Sequence, residues 1–444
     1  MNGRNLLRTG SHFARARWRW QHLRGAALEA YQERRARLMV YYAAQHSPFY
    51  RAHWEGCDLR DWRMLPTVDK RLMMANFDRF NTRGIKREEA MEIALQAERN
   101  RDFRPALRGL TVGLSSGTSG HRGLFLVSAG EQAAWAGVIL ARVLHHLPRR
   151  RLRVAFFLRS NSNLYEEVGG VLIQFRYFDL MLPLADAVAA LNQMQPHIIV
   201  GPPSLLCFLA VEHKEGRHRC NPRRLISVAE VLEPQDQQFI SATFGAPVHQ
   251  IYQCTEGLLA VSCEHGSLHI QEDGVALQFE PLEGGDNDGS RVMPIVTDLW
   301  RKTQPIIRYR LNDVLQLETW PCACGSSFRV IRAIEGRCDD ICYFISLDGA
   351  LRPFYPDTIR RMILLASADI ADYQVTQETP GHLRVHLALA PGASFAPVEQ
   401  ATRASIEATV AQYACQSAVV SIEQGLKQLK AGVKRRRVQS SRPG

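Results

Sequence analysis

At 444 residues the chain is longer than a single hydrophobic core usually grows, so two or three domains are expected. Its 46% hydrophobic and 22% charged residues are those of an ordinary globular protein, and no run of eighteen apolar residues offers a membrane span. The net charge of +11 admits acidic surfaces or anionic substrates, but it is concentrated in the Arg-rich ends RARWRWQHLRG and VKRRRV, and no nucleic-acid partner is expected.

The N-terminal segment lacks the apolar core of a secretory signal, and ten cysteines in such a chain suit a reducing compartment better than a disulfide framework. A cytoplasmic location follows as the expectation. Residues 1–105 read mainly as helix: LEAYQERRARLMVYYAAQ has a helical apolar period that ends where Pro48 stops it, and LPTVDKRLMMANF gives a turn and a further helix. From about residue 110, short apolar runs alternate with helical ones. LRVAFFLR, PHIIVGPPS, RLISVAEVL and APVHQIYQ read as strands and ADAVAALNQM as a helix, which predicts an α/β core with a largely parallel sheet.

Ligands of such sheets sit where strand ends meet helix starts, and GLSSGTSG, GPPS, VAEVLEP and IYQCTEG are expected in that position. After residue 337 the texture changes again. YQVTQETPGHLRVHLALA reads as a hairpin, APVEQATRASIEATVAQYA as a helix and SAVVSIEQ as a last strand, together a small α+β domain.

The loop LSSGTSGHRG (114–123) packs three glycines, four hydroxyls and two basic groups into ten positions. Clustered amides and hydroxyls in a tight, glycine-rich turn make a concave anion site, so a phosphate-bearing substrate is the first expectation. It is neither a Walker loop nor a dinucleotide fingerprint, because both glycine spacings are missing.

Downstream follow SVAEVLEP (227–234), IYQCTEG (251–257), TDLWRKTQPIIRYRLND (297–313), IEGRCDD (334–340) and GLKQLKAGVKRRRV (425–438). In this order, and with HSPFYR and LPTVDK upstream, they resemble the adenylate-forming, AMP-binding enzymes. The nearest resemblance is to the phenylacetate-CoA ligase branch and its deazaflavin-adenylating relatives. The resemblance implies an α/β adenylation domain over 1–337 and a small mobile C-terminal domain over 338–444.

It also implies ATP-dependent activation of an aryl or acyl carboxylic acid as an acyl-adenylate, followed by transfer to the thiol of coenzyme A or of a carrier-protein phosphopantetheine. Transfer of AMP to a non-carboxylate acceptor, and a degenerate basic binding protein, remain alternatives.

Carried over residue by residue, Ser115, Ser116, Gly117, Thr118, Ser119 and Gly120 would hold the β- and γ-phosphates. Glu256, in the pair Thr255-Glu256, would be the magnesium ligand, since a hard cation bridging phosphates takes carboxylate oxygen. Asp313 would accept hydrogen bonds from the ribose, and Arg337 would reach ribose and phosphate. Glu230, Tyr252 and Gln253 fall where the adenine pocket forms. Lys434 is the candidate for the lysine that meets the reacting carboxylate and α-phosphate, with Lys427 and Lys430 as rivals.

The chain departs from the family twice: His121-Arg122-Gly123 replaces the phosphate loop's terminal lysine, and Asn312, which tolerates left-handed backbone, replaces a residue before the ribose acid. Tyr165 and Phe157 lie near the family's substrate-gating stretch, though Phe157 reads better as core. Finally, VSCEHGSLHI and PCACGSSF bring Cys263, His269, Cys322 and Cys324, with His265 as an alternative ligand. Three thiolates and an imidazole suit tetrahedral zinc with no open position, hence a structural site.

Overall fold

The computed structural model describes residues 3–101, 106–114, 123–144, 150–158, 173–180, 184–282, 291–427 and 436–440. The chain divides into two compact units, Met1–Phe279 with Pro294–Leu311 and Leu317–Arg332, and Glu280–Met293 with Asn312–Gln316 and Ala333–Gly444.

The first unit opens with helices α1 (Gly3–His22) and α2 (Gly25–His46), separated by Leu23 and Arg24, with Gly25 at φ +46° where α2 begins. Pro48 cannot continue α2 but suits a first helical position, and the Ser47 hydroxyl accepts the Tyr50 amide at 3.3 Å to start α3 (Pro48–His53). Helices α4 (Lys70–Ala75), α5 (Phe77–Phe80) and α6 (Arg87–Asn100) complete the helical segment.

Strands β1 (Ala106–Leu107), β2 (Leu110–Leu114) and β3 (Leu124–Ser128) form a small antiparallel sheet. Its Val112 and Leu126 bury against Ile85, Ala90 and Ala94. Helix α7 (Ala129–Val143) starts at a capping box: the Ser128 hydroxyl accepts the Glu131 amide, and the Glu131 carboxylate accepts the Ser128 amide at 2.7 Å. Gly137 lets α1 lie against α7, because a Cβ there would stand 2.6 Å from both the Thr9 carbonyl oxygen and the His12 Cβ. Asp273 locks the same packing by pairing with Arg19 of α1 and Arg142 of α7, each at 2.8 Å.

The alternation predicted after residue 110 is present as β4 (Leu152–Leu158), β5 (Ile173–Asp179), α8 (Leu184–Met194), β6 (Ile198–Gly201), α9 (Pro203–Lys214), β7 (Arg224–Val228), α10 (Pro234–Phe244) and β8 (Val248–Cys254). The strands pair in parallel in the order β5-β4-β6-β7-β8. Every residue of β6 is buried, which is why it reads as an unbroken apolar run. Phe157 is fully buried in the core beside Ile199, Leu206 and Leu225, a packing residue. Antiparallel β9 (Gly257–Ser262) and β10 (Leu268–Ile270) extend the sheet. Beyond them lie β11 (Val275–Pro281), β12 (Arg291–Asp298) and β13 (Tyr309–Arg310), the last pairing with β12 through Ile295 and Val296.

The second unit takes in most of β14 (Asp313–Leu317), which pairs antiparallel with the start of β12, and the later part of β15 (Val330–Arg337), which leads into a 3-10 turn at Cys338–Asp340. A hairpin of β16 (Cys342–Ile345) and β17 (Leu351–Phe354) leads to α11 (Pro356–Leu364). The predicted hairpin is β18 (Ile370–Thr379) with β19 (His382–Leu389), and the predicted helix is α12 (Phe395–Gln412). SAVVSIEQ supplies β20 (Val419–Gln424), but it is not the last strand. The chain returns as β21 (Val438–Ser440), parallel to β18, with Val438 in the core, so the sheet order is β20-β19-β18-β21. Among the described residues, no helix is long and apolar enough to cross a membrane.

Candidate functional site

In the first unit, the predicted residues gather at the C-terminal ends of neighbouring strands β7 and β8. At the end of β7, Ala229 adopts φ +69°, and the Glu230 carboxylate accepts the backbone amide of Ser204 at 3.3 Å, in the first turn of α9. At the end of β8, Tyr252 and Gln253 are half-buried, and the Gln253 side-chain oxygen accepts the Trp135 indole N–H at 3.0 Å.

Thr255 and Glu256 form the turn between β8 and β9, with Cys254 facing Gly257 across it. Glu256 is 7% exposed, and the Thr255 hydroxyl donates to its Oε2 at 2.8 Å. Tyr309 stands beside it, its hydroxyl held protonated by burial and by the Glu256 carboxylate. IYQCTEG therefore turns from strand to antiparallel strand rather than from strand to helix, and GLSSGTSG lies between β2 and β3, which are likewise antiparallel. Only GPPS and VAEVLEP connect a strand to a helix as expected.

Ser115, Ser116, Gly117, Thr118, Ser119 and Gly120 lie outside the described residues, as do Arg122, Tyr165, Lys430 and Lys434. Lys427 is described: it is exposed, and its amide donates to the Gln374 side chain at 2.9 Å.

The second unit brings Asp313 and Arg337 together, with the Arg337 Nε 3.7 Å from the Asp313 Oδ1. Asn312 does not use left-handed backbone; that conformation falls at Arg308, with φ +48°. Instead the Asn312 side chain donates to Asp339 at 2.6 Å, and its carbonyl accepts the Cys338 amide at 2.9 Å. Sequence reasoning missed Asp340. Its carboxylate accepts the Arg337 amide at 3.2 Å and pairs with Arg436, and burial still pushes its carboxyl above the ordinary value. Gly336 takes φ +129° beside it, where a Cβ would approach Asp340 Oδ2 and Pro356 at 3.4 Å.

Cys263, His269, Cys322 and Cys324 converge in the first unit with all four ligand atoms within 4.8 Å of one another. The Sγ atoms of Cys263 and Cys322 are 3.7 Å apart, and the Cys324 Sγ is 3.3 Å from His269 Nε2. His269 Nδ1 lies 2.8 Å from the Phe328 carbonyl oxygen, which fixes the ring and leaves Nε2 for a metal. Two turns make the set possible: Gly266 (φ +85°) follows Cys263, and Gly325 (φ +72°) closes the Cys-Ala-Cys turn. Burial raises the thiol of Cys263 and pushes that of Cys324 up to about 12, so a cation would have to offset that cost. His265 is exposed and lies outside this group.

No family model matches the chain, and no curated protein matches it in sequence. Solved structures do. A 2-hydroxyisobutyryl-CoA ligase in the postadenylation state, in complex with 2-HIB-AMP, is 19% identical at a TM-score of 0.72, over 96% of this chain and 92% of that one. The same ligase with 2-HIB-AMP and CoA in the thioesterification state is 19% identical at 0.56, over 95% and 91%. The GH3.15 acyl acid amido synthetase is 12% identical at 0.58, over 89% and 86%. The chain thus has the α/β fold of the adenylate-forming ligases.

Proposed function

We propose that this protein activates a carboxylic acid with ATP and passes the acyl group to a thiol, and that it stands nearest the phenylacetate-CoA ligase branch. In the first step a carboxylate oxygen attacks the α-phosphorus, the bond to the β-phosphate breaks, and pyrophosphate leaves. In the second a thiolate sulfur attacks the acyl carbon, the bond to the AMP oxygen breaks, and AMP leaves. The observation that carries the reading is the Thr255-Glu256 turn. It sets a carboxylate at the sheet's C-terminal edge, beside Glu230, Tyr252 and Gln253, in a fold shared with ligases whose structures hold acyl-AMP. Asp313, next to Arg337, suits a ribose diol, because an ionised carboxylate is a pure acceptor with room for two hydroxyls.

Glu256 would hold the Mg²⁺, whose charge lowers the repulsion among the phosphates. The phosphate loop 115–120 and Lys434 keep their proposed roles, with Lys427 and Lys430 as rivals to the latter. Cys263, His269, Cys322 and Cys324 would hold structural zinc: the set is soft, closed at four ligands and carries an oriented imidazole. The ten cysteines, none in a disulfide, suit a cytoplasmic enzyme.

The test is acid-dependent exchange of pyrophosphate into ATP over a panel of aryl and acyl acids. The expected result is exchange with a subset of the panel, slowed on the order of a hundredfold by Glu256→Gln or Asp313→Ala, as loss of a charged contact worth about 3 kcal/mol would do. Exchange with no acid, or exchange unchanged in both variants, would remove the reading.

A further inference from the structure

The backbone of residues 300–303 is held in an unusual way. Four successive amides donate to two carboxylates: Trp300 and Arg301 to Asp298 Oδ1, each at 2.7 Å, and Lys302 and Thr303 to Glu131 Oε1 at 2.6 and 2.8 Å. The Thr303 hydroxyl adds a fifth bond, to Glu131 Oε2 at 2.7 Å. Glu131 is the residue that caps α7, so one carboxylate fixes both the helix start and this loop. Burial alone would raise its pKa, but the Thr303 and Ser128 donors hold it below the ordinary carboxylate value.

What this clamp presents is the side chain of Arg301. Its Nη1 donates to the Thr255 carbonyl at 2.5 Å, and its Nη2 to the Gln304 side-chain oxygen at 3.3 Å. Gln304 is fully buried and tied to β3, accepting the Leu126 amide at 2.8 Å and donating to the Leu124 carbonyl at 3.2 Å. The turn that Arg301 grips needs holding. Two-residue hairpin turns that match the strand twist place at least one central residue at positive φ and favour Gly or Asn there. Thr255 and Glu256 are neither, and neither has positive φ, so the local sequence does not fix the direction in which Glu256 leaves the hairpin.

We infer that Arg301, aimed by Asp298 and Glu131, is the positioning residue that sets the Thr255-Glu256 turn and thereby the Glu256 carboxylate. The inference rests on the adenylation reading of Glu256. A guanidinium is well shaped for this role, since its planar fork spans the Thr255 carbonyl and the Gln304 amide at once, which an ammonium cannot do in one fixed geometry.

The test is a double-mutant cycle between Arg301→Ala and Glu256→Gln, read by acid-dependent pyrophosphate exchange, with hydrogen exchange of the 254–258 amides as a readout free of chemistry. Arg301→Ala should slow pyrophosphate exchange about thirtyfold yet add little in the Glu256→Gln background, and the turn amides should exchange about tenfold faster. Arg301→Lys should restore part of the rate and guards against a folding defect in the alanine variant. Independent, multiplying effects of the two substitutions, or turn amides that exchange at the original rate, would overturn the positioning role. Glu256→Gln at full rate is a different failure, because it removes the reading of Glu256 itself.

Discussion

Asp273 keeps its charge in a place where burial alone would remove it. Desolvation pushes its pKa up, but Arg142 and Arg19 together outweigh that and hold it below the ordinary 3.8. Arg142 also donates to the Ala16 carbonyl and the Gln271 side chain, and its guanidinium lies over the Trp20 ring at 4.9 Å, so little of the cluster can relax if one member is lost. Asp273→Asn would leave two buried guanidiniums without a countercharge and should cost about 3–5 kcal/mol, read as a lower unfolding midpoint. The pH dependence follows in sign. A carboxyl whose folded pKa is depressed contributes stability that is complete above its unfolded value and is lost as pH falls through the folded one. The wild type should therefore lose stability more steeply than Asp273→Asn below about pH 4, and parallel acid profiles would contradict the ion cluster. None of this was legible in the sequence, since Asp273 lies 254 positions from Arg19 and 131 from Arg142, and no local spacing records such a pairing. Thr255-Glu256, Asp313 and Arg337 could be singled out as candidates because each sits inside a short motif; Asp298, Glu131 and Arg301 could not, because their partners are chosen by the fold.

At the scale of elements, periodic segments were readable and short ones were not. The run APVEQATRASIEATVAQYA carries enough helical period to show α12, whereas the three residues of β21 have no alternation to detect and become a strand only because β18 offers an open edge. The stretch IYQCTEG reads as the end of a strand, which it is, but a hairpin without Gly or Asn at its centre gives no sequence sign of the antiparallel return. The cysteine set is drawn from two turns, one between paired strands and one in an irregular segment. Cys263 and His269 flank the turn from β9 to β10, and Cys322 and Cys324 sit in the irregular segment before β15, where Ser327 is tied to the Leu23 carbonyl at 2.9 Å. A zinc ion would join the two segments. Elemental analysis should find about one zinc per chain, and Cys322→Ser should lower both the metal content and the unfolding midpoint. Full metal content and an unchanged midpoint in that variant would return the four residues to ordinary packing.

For the whole molecule, the proposed adenylation leads to a prediction about the acceptor, and the charge distribution bears on it. Six arginines precede the first acidic residue, Glu29; Arg19 is buried and paired with Asp273, but Arg8, Arg15 and Arg24 are exposed, so basic charge is gathered on this stretch of the chain. Such a surface attracts anions at long range, whether the phosphates of coenzyme A or the acidic face of a carrier protein. The two differ in how they respond to salt. Docking a carrier uses many exposed charges, which ions screen within about 8 Å at physiological strength, while a small thiol seated in a site relies on short, less screened contacts. With an acid that passes the pyrophosphate-exchange assay, mass spectrometry should find a thioester when either coenzyme A or a phosphopantetheine-loaded carrier is supplied separately. The true acceptor is the one whose rate saturates at lower concentration. A steep fall of that rate between low and high salt identifies the carrier, and a shallow one coenzyme A. Acyl-adenylate that accumulates with neither thioester would exclude the thiol step while leaving adenylation in place, because the roles proposed for the Thr255-Glu256 turn and the Asp313–Arg337 pair belong only to the first half-reaction.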